Sequence, residues 1–266
     1  MKVSTSSYYA WLKRPPSLRE KENEWLMVLL TSFFEDGRGT YGSRRLKRLL
    51  LNEGYKISRR RIARLMKKAN LWCKTKRKFK VTTDSKHTNP VAPNHLNRHV
   101  TVDQPNQCYV GDITYIWTQE GWLYLAVVID LFSRQVVGWS MKPHMRASLV
   151  NDALMMAVWS RKPEKGLLWH TDRGSQYASE SHRKLLAQHH IIQSMSRKGN
   201  GWDNAVAESF FHSLKTEQVH HQYYVTRDDA RQAIFDYIEV FYNRQRLHSA
   251  NDYLSPVDYE KIKQAV

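Results

Sequence analysis

The sequence predicts an α/β protein, a mixed sheet flanked by helices and preceded by a small all-α helix-turn-helix domain. Three observations carry this reading. Basic, amphipathic helical patterns fill the first part of the chain, and runs rich in Val, Ile, Tyr and Trp begin at Cys108. From Ala147 such runs alternate with helical ones, as they do in a sheet whose later strands are joined by helices.

Charge divides the chain at the same place. The net charge is +17 over 266 residues. Residues 1–100 hold 24 Lys and Arg against 7 Asp and Glu, and residues 101–266 hold 18 of each. A basic domain that holds a polyanion is therefore joined to a neutral domain with another task. A hydrophobic share of 41% is enough for a packed core at this length. No stretch approaches the roughly 20 consecutive apolar residues of a membrane span. The N-terminus has no signal-peptide core, so a cytoplasmic location with no membrane partner is expected. Cys73 and Cys108 form no Cys-x-x-Cys pair, which excludes a disulfide framework and a cysteine-based zinc site.

Residues 1–19 read as a short N-terminal segment, with Tyr8, Tyr9 and Trp11 ahead of the stiff Pro15-Pro16 turn. Residues 20–80 read as a basic helix-turn-helix-like DNA-binding domain. Its first helix spans residues 20–35, with Trp25, Val28, Leu29 and Phe33 inward. Ser43 is expected to cap the second, which buries Leu46, Leu49 and Leu50 and ends at Gly54. The third begins near Ser58, with Ile62, Leu65 and Met66 inward. Arg59, Arg60, Arg61, Arg64, Lys67 and Lys68 point outward as candidate DNA contacts. The tight connection between the last two helices, the second being the more basic, matches a helix-turn-helix whose second helix enters a DNA groove. Residues 81–105, polar and containing three prolines, read as a linker.

Residues 106–225 supply the sheet. Strands over residues 108–117, 122–129 and 135–141 form an antiparallel meander. A helix at 147–159, a strand at 167–171, a helix at 179–188, a strand at 191–196 and a helix from about 203 follow. Residues 226–266 form a helical extension, helical at 227–242 and 256–262 with a polar connection at 242–248.

Three carboxylates stand out. Asp112 lies mid-strand, where a charge is expensive unless paired or coordinated. Asp172 ends a buried strand just before a glycine turn. Glu208 lies on a helix where steps of four and seven residues put Asn204, a further candidate DNA contact, Glu208 and Lys215 on one face. Two strands and a helix could thus hold two divalent cations about 4 Å apart, an arrangement suited to phosphoryl transfer. Oxygen-only ligands favour Mg²⁺ or Mn²⁺. If the first two strands pair across a turn near Gln119, Val127 lies opposite Asp112 and Asp130 points to the other face. His170 shares the face of Asp172, either as a site residue or as a packed core histidine. Arg197 and Lys198 lie in a loop suited to reach phosphate, and Trp202 beside them is a core anchor or a base-stacking residue.

The order Asp112, Asp172, then Glu208 with 35 residues between the last two, and Lys215 seven further on, resembles the DDE signature of the retroviral-integrase catalytic core. More narrowly, Gly111-Asp112-Ile113-Thr114-Tyr115, His170-Thr171-Asp172-Arg173-Gly174-Ser175-Gln176-Tyr177, Ser196-Arg197-Lys198-Gly199-Asn200, Asp203-Asn204-Ala205 and Tyr242-Asn243 are similar to bacterial insertion-sequence transposases, above all the OrfB protein of two-frame elements. Tyr109 departs from the usual Trp, and Gly201 from a common Cys. The resemblance covers nearly the whole chain and implies an RNase H-like core. It makes Asp112, Asp172 and Glu208 the catalytic and metal-binding residues and puts Lys215 on DNA near the cleaved end. It also implies cleavage and strand transfer at element ends, a homo-oligomer on double-stranded DNA, and an upstream-frame partner (OrfA) or a fusion with it. Two other readings stay open: an RNase H-like nuclease, and a DNA-binding regulator or inhibitor with a vestigial core, which the complete triad argues against.

Overall fold

The computed structural model describes residues 4–74, 90–96, 102–197 and 204–265. The chain forms two compact units, Met1–Lys74 and Thr75–Val266.

The first unit contains α1 (Thr5–Lys13), α2 (Leu18–Asp36), α3 (Ser43–Asn52) and α4 (Arg59–Lys68). The α1 helix buries none of its residues. A capping box starts α2: the Ser17 hydroxyl oxygen accepts from the Glu20 N–H, and the Glu20 carboxylate accepts from the Ser17 N–H. The α2 helix buries Leu26 and Leu30, whereas Trp25 and Val28 are 53% and 60% exposed. The apolar stripe thus lies one residue away from the expected one. Both registers have helical spacing, and Trp25 takes the rim, where its indole N–H donates to the Tyr55 hydroxyl at 2.8 Å.

Ser43 is the first helical residue of α3 and not its cap; Gly42 is the N-cap. Tyr41 is buried against Gly37, where a Cβ would stand 2.5 Å from the ring, and the tight turn that seats it brings Gly42 into the cap position. Gly54, at φ +85°, ends the α3 segment as the Tyr55 N–H donates to the Leu50 carbonyl at 2.8 Å. Ser58 caps α4, which buries Ile62, Leu65 and Met66 and exposes Arg59, Arg60, Arg64, Lys67 and Lys68. Arg61 is the exception among the six expected outward cations. Its guanidinium turns back to α2, 2.7 Å from both the Glu22 carboxylate and the Asn23 side-chain Oδ1.

The second unit is built on a five-stranded sheet of order β3-β2-β1-β4-β5. Its strands are β1 (Cys108–Thr118), β2 (Gly121–Asp130), β3 (Val136–Lys142), β4 (Leu168–Thr171) and β5 (Ile192–Met195). Its helices are α5 (Ala147–Arg161), α6 (Glu180–Gln188), α7 (Ala205–Glu217), α8 (Arg227–Phe235) and α9 (Pro256–Gln264). The first three strands are antiparallel, and β4 and β5 run parallel to β1. Part of the expected linker belongs to this unit. Ser194 Oγ on β5 accepts from the N–H groups of His95 and Leu96, and Leu96 is buried. An apolar residue at 96 gains more from the core than from water.

One face of the sheet carries Tyr109, Ala126, Val128 and Trp169 against Leu149, Ala153 and Leu154 of α5 and Leu186 of α6. Glycine permits the close approach of α5, since a Cβ on Gly138 would stand 2.2 Å from the Ala153 carbonyl oxygen. Alternation leaves Val110, Asp112, Thr114 and Ile116 on the face opposite Tyr109 and Gly111; α7 and α8 also contact β1. Asp130 is the register partner of Tyr109 and shares its face. It is fully buried, accepting from the N–H groups of Asn106 and Phe132.

The expected polar connection after residue 242 is in fact an anchor. Residues 236–242 continue α8 as a π-helix, and Asn243 and Arg246 beyond it are 2% and 6% exposed. The Asn243 amide donates to the Val136 carbonyl and accepts the Val136 N–H, as a neighbouring strand would. Arg246 forks onto Glu217 at the end of α7, with N···O distances of 2.6 and 2.8 Å.

A buried relay under the sheet has a pH consequence. The Trp169 indole N–H donates to His182 Nε2 at 3.0 Å, so the imidazole proton sits on Nδ1, which faces Asn151 Oδ1 at 2.7 Å. Burial pushes the His182 imidazole down to about 4, against roughly 6.5 when unfolded. As pH falls through that window the unfolded chain binds the proton first, so the folded state loses roughly 3 kcal/mol between the two values. Asp130, pushed up to about 6 mainly by burial, works in the opposite sense, so the readout is a difference. The urea midpoint of the wild type should fall more steeply from pH 6.5 to 4 than that of His182→Gln; parallel curves would contradict it.

Candidate active site

The β4 strand ends at Thr171, which pairs with Gly111 of β1 in parallel register. Asp112 and Asp172 are the next residues on the two adjacent strands. Alternation places both on the face opposite Trp169, at the point where β1 continues without β4 beside it. A strand end beside a longer neighbour leaves a notch open to ligand.

Each aspartate is fixed locally. Asp112 Oδ1 accepts from the Ile113 N–H at 2.8 Å, and Asp172 Oδ1 from the Gly174 N–H at 2.9 Å. A Cβ on Gly174 would stand 3.0 Å from that same Asp172 oxygen, so glycine keeps the carboxylate's place. Between them Arg173 donates from Nε to the Ser196 carbonyl at 2.7 Å, joining the exits of β4 and β5. Sequence reasoning missed Arg173; its signal was an arginine wedged between a strand-end acid and a turn glycine.

Glu208 lies exposed in the first turn of α7, and half-buried Lys215 lies in its last turn. The groups act on one another. Burial, then the charge of Asp172, and then that of Glu208 hold the Asp112 carboxyl well above the usual carboxylate range; the Ile113 N–H and Lys215 oppose this. Burial lowers the Lys215 ammonium and the charge of Asp112 holds it up. Tyr177, also missed, is buried close enough that Asp112 and Asp172 add to burial in raising its phenol.

Oxygen donors crowded with like charge are the chemistry of a hard divalent-cation site. Among the described residues no three Asp, Glu, His or Cys side chains close to ion-holding distance. The two aspartates stand side by side where β4 ends, and Glu208 is exposed on α7.

The remaining candidates separate. Asn204 is 5% exposed and is the N-cap of α7 at φ −115°, outside the helix. Helical-face arithmetic therefore does not apply to it, and the expected shared face of Asn204, Glu208 and Lys215 is corrected to the last two. His170 is fully buried with Nδ1 2.8 Å from Ser194 Oγ, a core histidine tied to β5. Arg197 is exposed. Lys198 and Trp202 lie outside the described residues. Cys73 and Cys108 are free thiols, and no helix among the described residues is long and apolar enough to cross a membrane.

Comparison with known proteins agrees with this organisation. Residues 102–201 and 208–263 match models of the integrase core domain, and residues 20–79 match an HTH-like domain. A 31 kDa protein of insertion element IS600 from Shigella sonnei is 45% identical over 259 residues, covering 97% of this chain and 95% of the relative. Transposase InsF of insertion sequence IS3A from Escherichia coli K12 is 42% identical over 262 residues, covering 98% of this chain and 91% of that one. In fold, the chain is similar to a protein of the simian T-cell lymphotropic virus intasome. The TM-score is 0.51 at 18% identity, over 66% of this chain and 60% of that one. The chain belongs to the insertion-sequence transposases, as a DDE transposase/integrase with an HTH-like domain and an integrase core, an enzyme of the nucleotidyl-transferase kind whose partner is DNA.

Proposed function

We propose that Asp112, Asp172 and Glu208 are the catalytic residues and hold two divalent cations, Mg²⁺ or Mn²⁺. The observation that carries this is the placement of Asp172 at the end of β4 beside Asp112, mid-strand on the parallel neighbour β1, with Glu208 and Lys215 acting on Asp112. Bound cations would activate the attacking oxygen and stabilise the leaving one. Backbone N–H groups of Ile113 and Gly174 fix the two carboxylates, so the pair needs little reorganisation. Lys215 offers a cation to a phosphate beside Asp112, and Arg197, exposed just beyond β5, would offer another, with Lys198 a further DNA contact expected from the sequence. The reaction would hydrolyse a phosphodiester at an element end and then join the freed 3′-hydroxyl to another.

DNA would be held by the exposed cations of α4, Arg59, Arg60, Arg64, Lys67 and Lys68, without Arg61, which is engaged with Glu22. The Arg59→Ala/Arg60→Ala/Arg64→Ala variant of the full chain should bind duplex DNA at least about tenfold more weakly. It should also show a flatter salt dependence, by about 0.9 in log–log slope for each phosphate the variant no longer neutralises. Anisotropy titrations at several salt concentrations read both, and an unchanged slope would exclude α4 as the phosphate-binding helix. We further propose a cytoplasmic protein that works as a homo-oligomer on paired element ends, together with an upstream-frame partner or fused to it.

The test is an assay of the full chain on duplexes from the ends of its own element. Cleavage and joining with Mg²⁺, lost in EDTA, support the proposal. Cleavage without joining, with or without the partner, would make it a nuclease, and binding without cleavage a regulator.

A further inference from the structure

The core-facing side of β1 and β2 does not end with the core. The β1–β2 register sets Tyr115 directly opposite Tyr124, and Trp117 directly opposite Trp122. By alternation all four share the face of Tyr109 and Ile113, yet they lie toward the hairpin tip, where Trp117 is 57% and Trp122 42% exposed. Tyr115 and Trp117 both meet the Trp122 ring edge to face, with centroids 4.9 and 4.8 Å apart. Cross-strand aromatic pairs stabilise a sheet most when they are covered; a contiguous pair of them facing water marks a binding surface.

Its neighbours say what it binds. The Lys215 ammonium stands 5.0 Å over the Tyr115 ring, and the same ammonium acts on Asp112, three residues earlier on the strand. Asp112 points to the other face of β1, but β4 pairs with β1 only as far as Gly111, and beyond that Lys215 links the Tyr115 ring on one face to the charge of Asp112 on the other. On the far side Lys142 is the register partner of Tyr124 and pairs with Asp152. The one acid of the hairpin turn, Glu120, accepts from the Arg227 N–H. Aromatic rings interleaved with cations beside a phosphodiester site suit a ligand with both flat apolar faces and phosphates.

We propose that Tyr115, Trp117, Trp122 and Tyr124 form a stacking platform for unpaired nucleotides of the DNA strand that enters the Asp112–Asp172 site. This rests on reading that site as the place of strand cleavage and transfer. Bases within a duplex have both faces covered by their neighbours, so such a platform selects frayed or overhanging ends over blunt ones. Lys215 would neutralise the phosphate between the stacked base and the aspartates.

Anisotropy titration of the full chain with a labelled duplex bearing about five unpaired nucleotides, and with the same duplex blunt, tests this. The wild type should prefer the overhang by about tenfold. Trp117→Leu/Trp122→Leu should lose the preference and bind both duplexes as the wild type binds the blunt one. Trp117→Ala, at the most exposed of the four positions, guards against a folding defect and should lose part of the preference with an unchanged circular dichroism spectrum. A wild type with no preference, or variants that keep it in full, would overturn the proposal. So would variants that lose only self-association in light scattering, which would make the face a contact between copies of the chain. The two readings fail separately: a wrong platform leaves the overhang preference absent while Asp112→Asn still abolishes cleavage, whereas a wrong catalytic assignment leaves cleavage intact in Asp112→Asn whatever the overhang preference.

Discussion

Replacing Arg246 by methionine is expected to destabilise the protein by about 3–5 kcal/mol, the usual cost of stripping one partner from a buried ion pair. Glu217 is 8% exposed and accepts two bonds from Arg246 and one from the Tyr237 hydroxyl; Arg246 also donates to Ser213 Oγ. Without the guanidinium, the carboxylate keeps its desolvation cost, and the tyrosine bond offsets little of it. The pair fastens the end of α7 to the chain beyond α8, and α7 carries both Glu208 and Lys215, so activity should fall as well. Arg246→Met/Glu217→Leu should recover much of the stability, because it removes the stranded charge. Urea midpoints at a constant slope measure both effects. A loss below about 1 kcal/mol in the single variant would mean that Glu217 finds water or another partner.

Gly111→Ala is expected to cost about 3 kcal/mol or more and to impair the site beyond its effect on stability. A Cβ at 111 would stand 2.0 Å from Trp169 Cη2. Trp169 is 1% exposed and tied to His182, so its rigid ring has nowhere to go. Relief must come from separating β1 and β4, the two strands whose pairing sets Asp112 beside Asp172. The variant should therefore lose DNA cleavage at temperatures where it is still folded by circular dichroism. Wild-type activity in a folded Gly111→Ala chain would show that the strand spacing at this position does not set the site.

Much of this architecture is legible in the sequence because its causes are local. Alternating apolar residues mark β1 to β3, and a two-residue period is enough to put Val127 opposite Asp112 and Asp130 on the other face. The aspartates stand out because one is a charge in the middle of an apolar strand and the other ends a buried strand before a glycine turn. What local patterns could not carry was choice between equivalent registers and contact at a distance. In α2 two stripes of the same spacing compete, and the packed one contains Leu26 and Leu30 rather than Trp25 and Val28. Asn204 obeys helical arithmetic only if it is helical, and it is the cap. Arg61 looks like one of six equal cations until Glu22, 39 positions earlier, folds against it. The polar run after Tyr242 reads as solvated because Glu217, the partner of Arg246, is 29 residues away, and the partner of Asn243 is a backbone group on β3. Buried polar groups are recognisable only together with the group that satisfies them.

The central claim, that Asp112 with Asp172 and Glu208 performs the phosphodiester chemistry while the basic unit holds DNA, is tested most directly by Asp112→Asn in the full chain. The substitution keeps the shape and removes one of three crowded negative charges, so thermal stability should be unchanged or higher. Mg²⁺-dependent cleavage and joining of an element-end duplex should fall by roughly a thousandfold or more, as the loss of several kcal/mol of transition-state stabilisation requires. Duplex affinity, measured in the same preparation, should remain within about twofold of wild type. Strand transfer retained by a folded, DNA-binding Asp112→Asn protein would contradict the account.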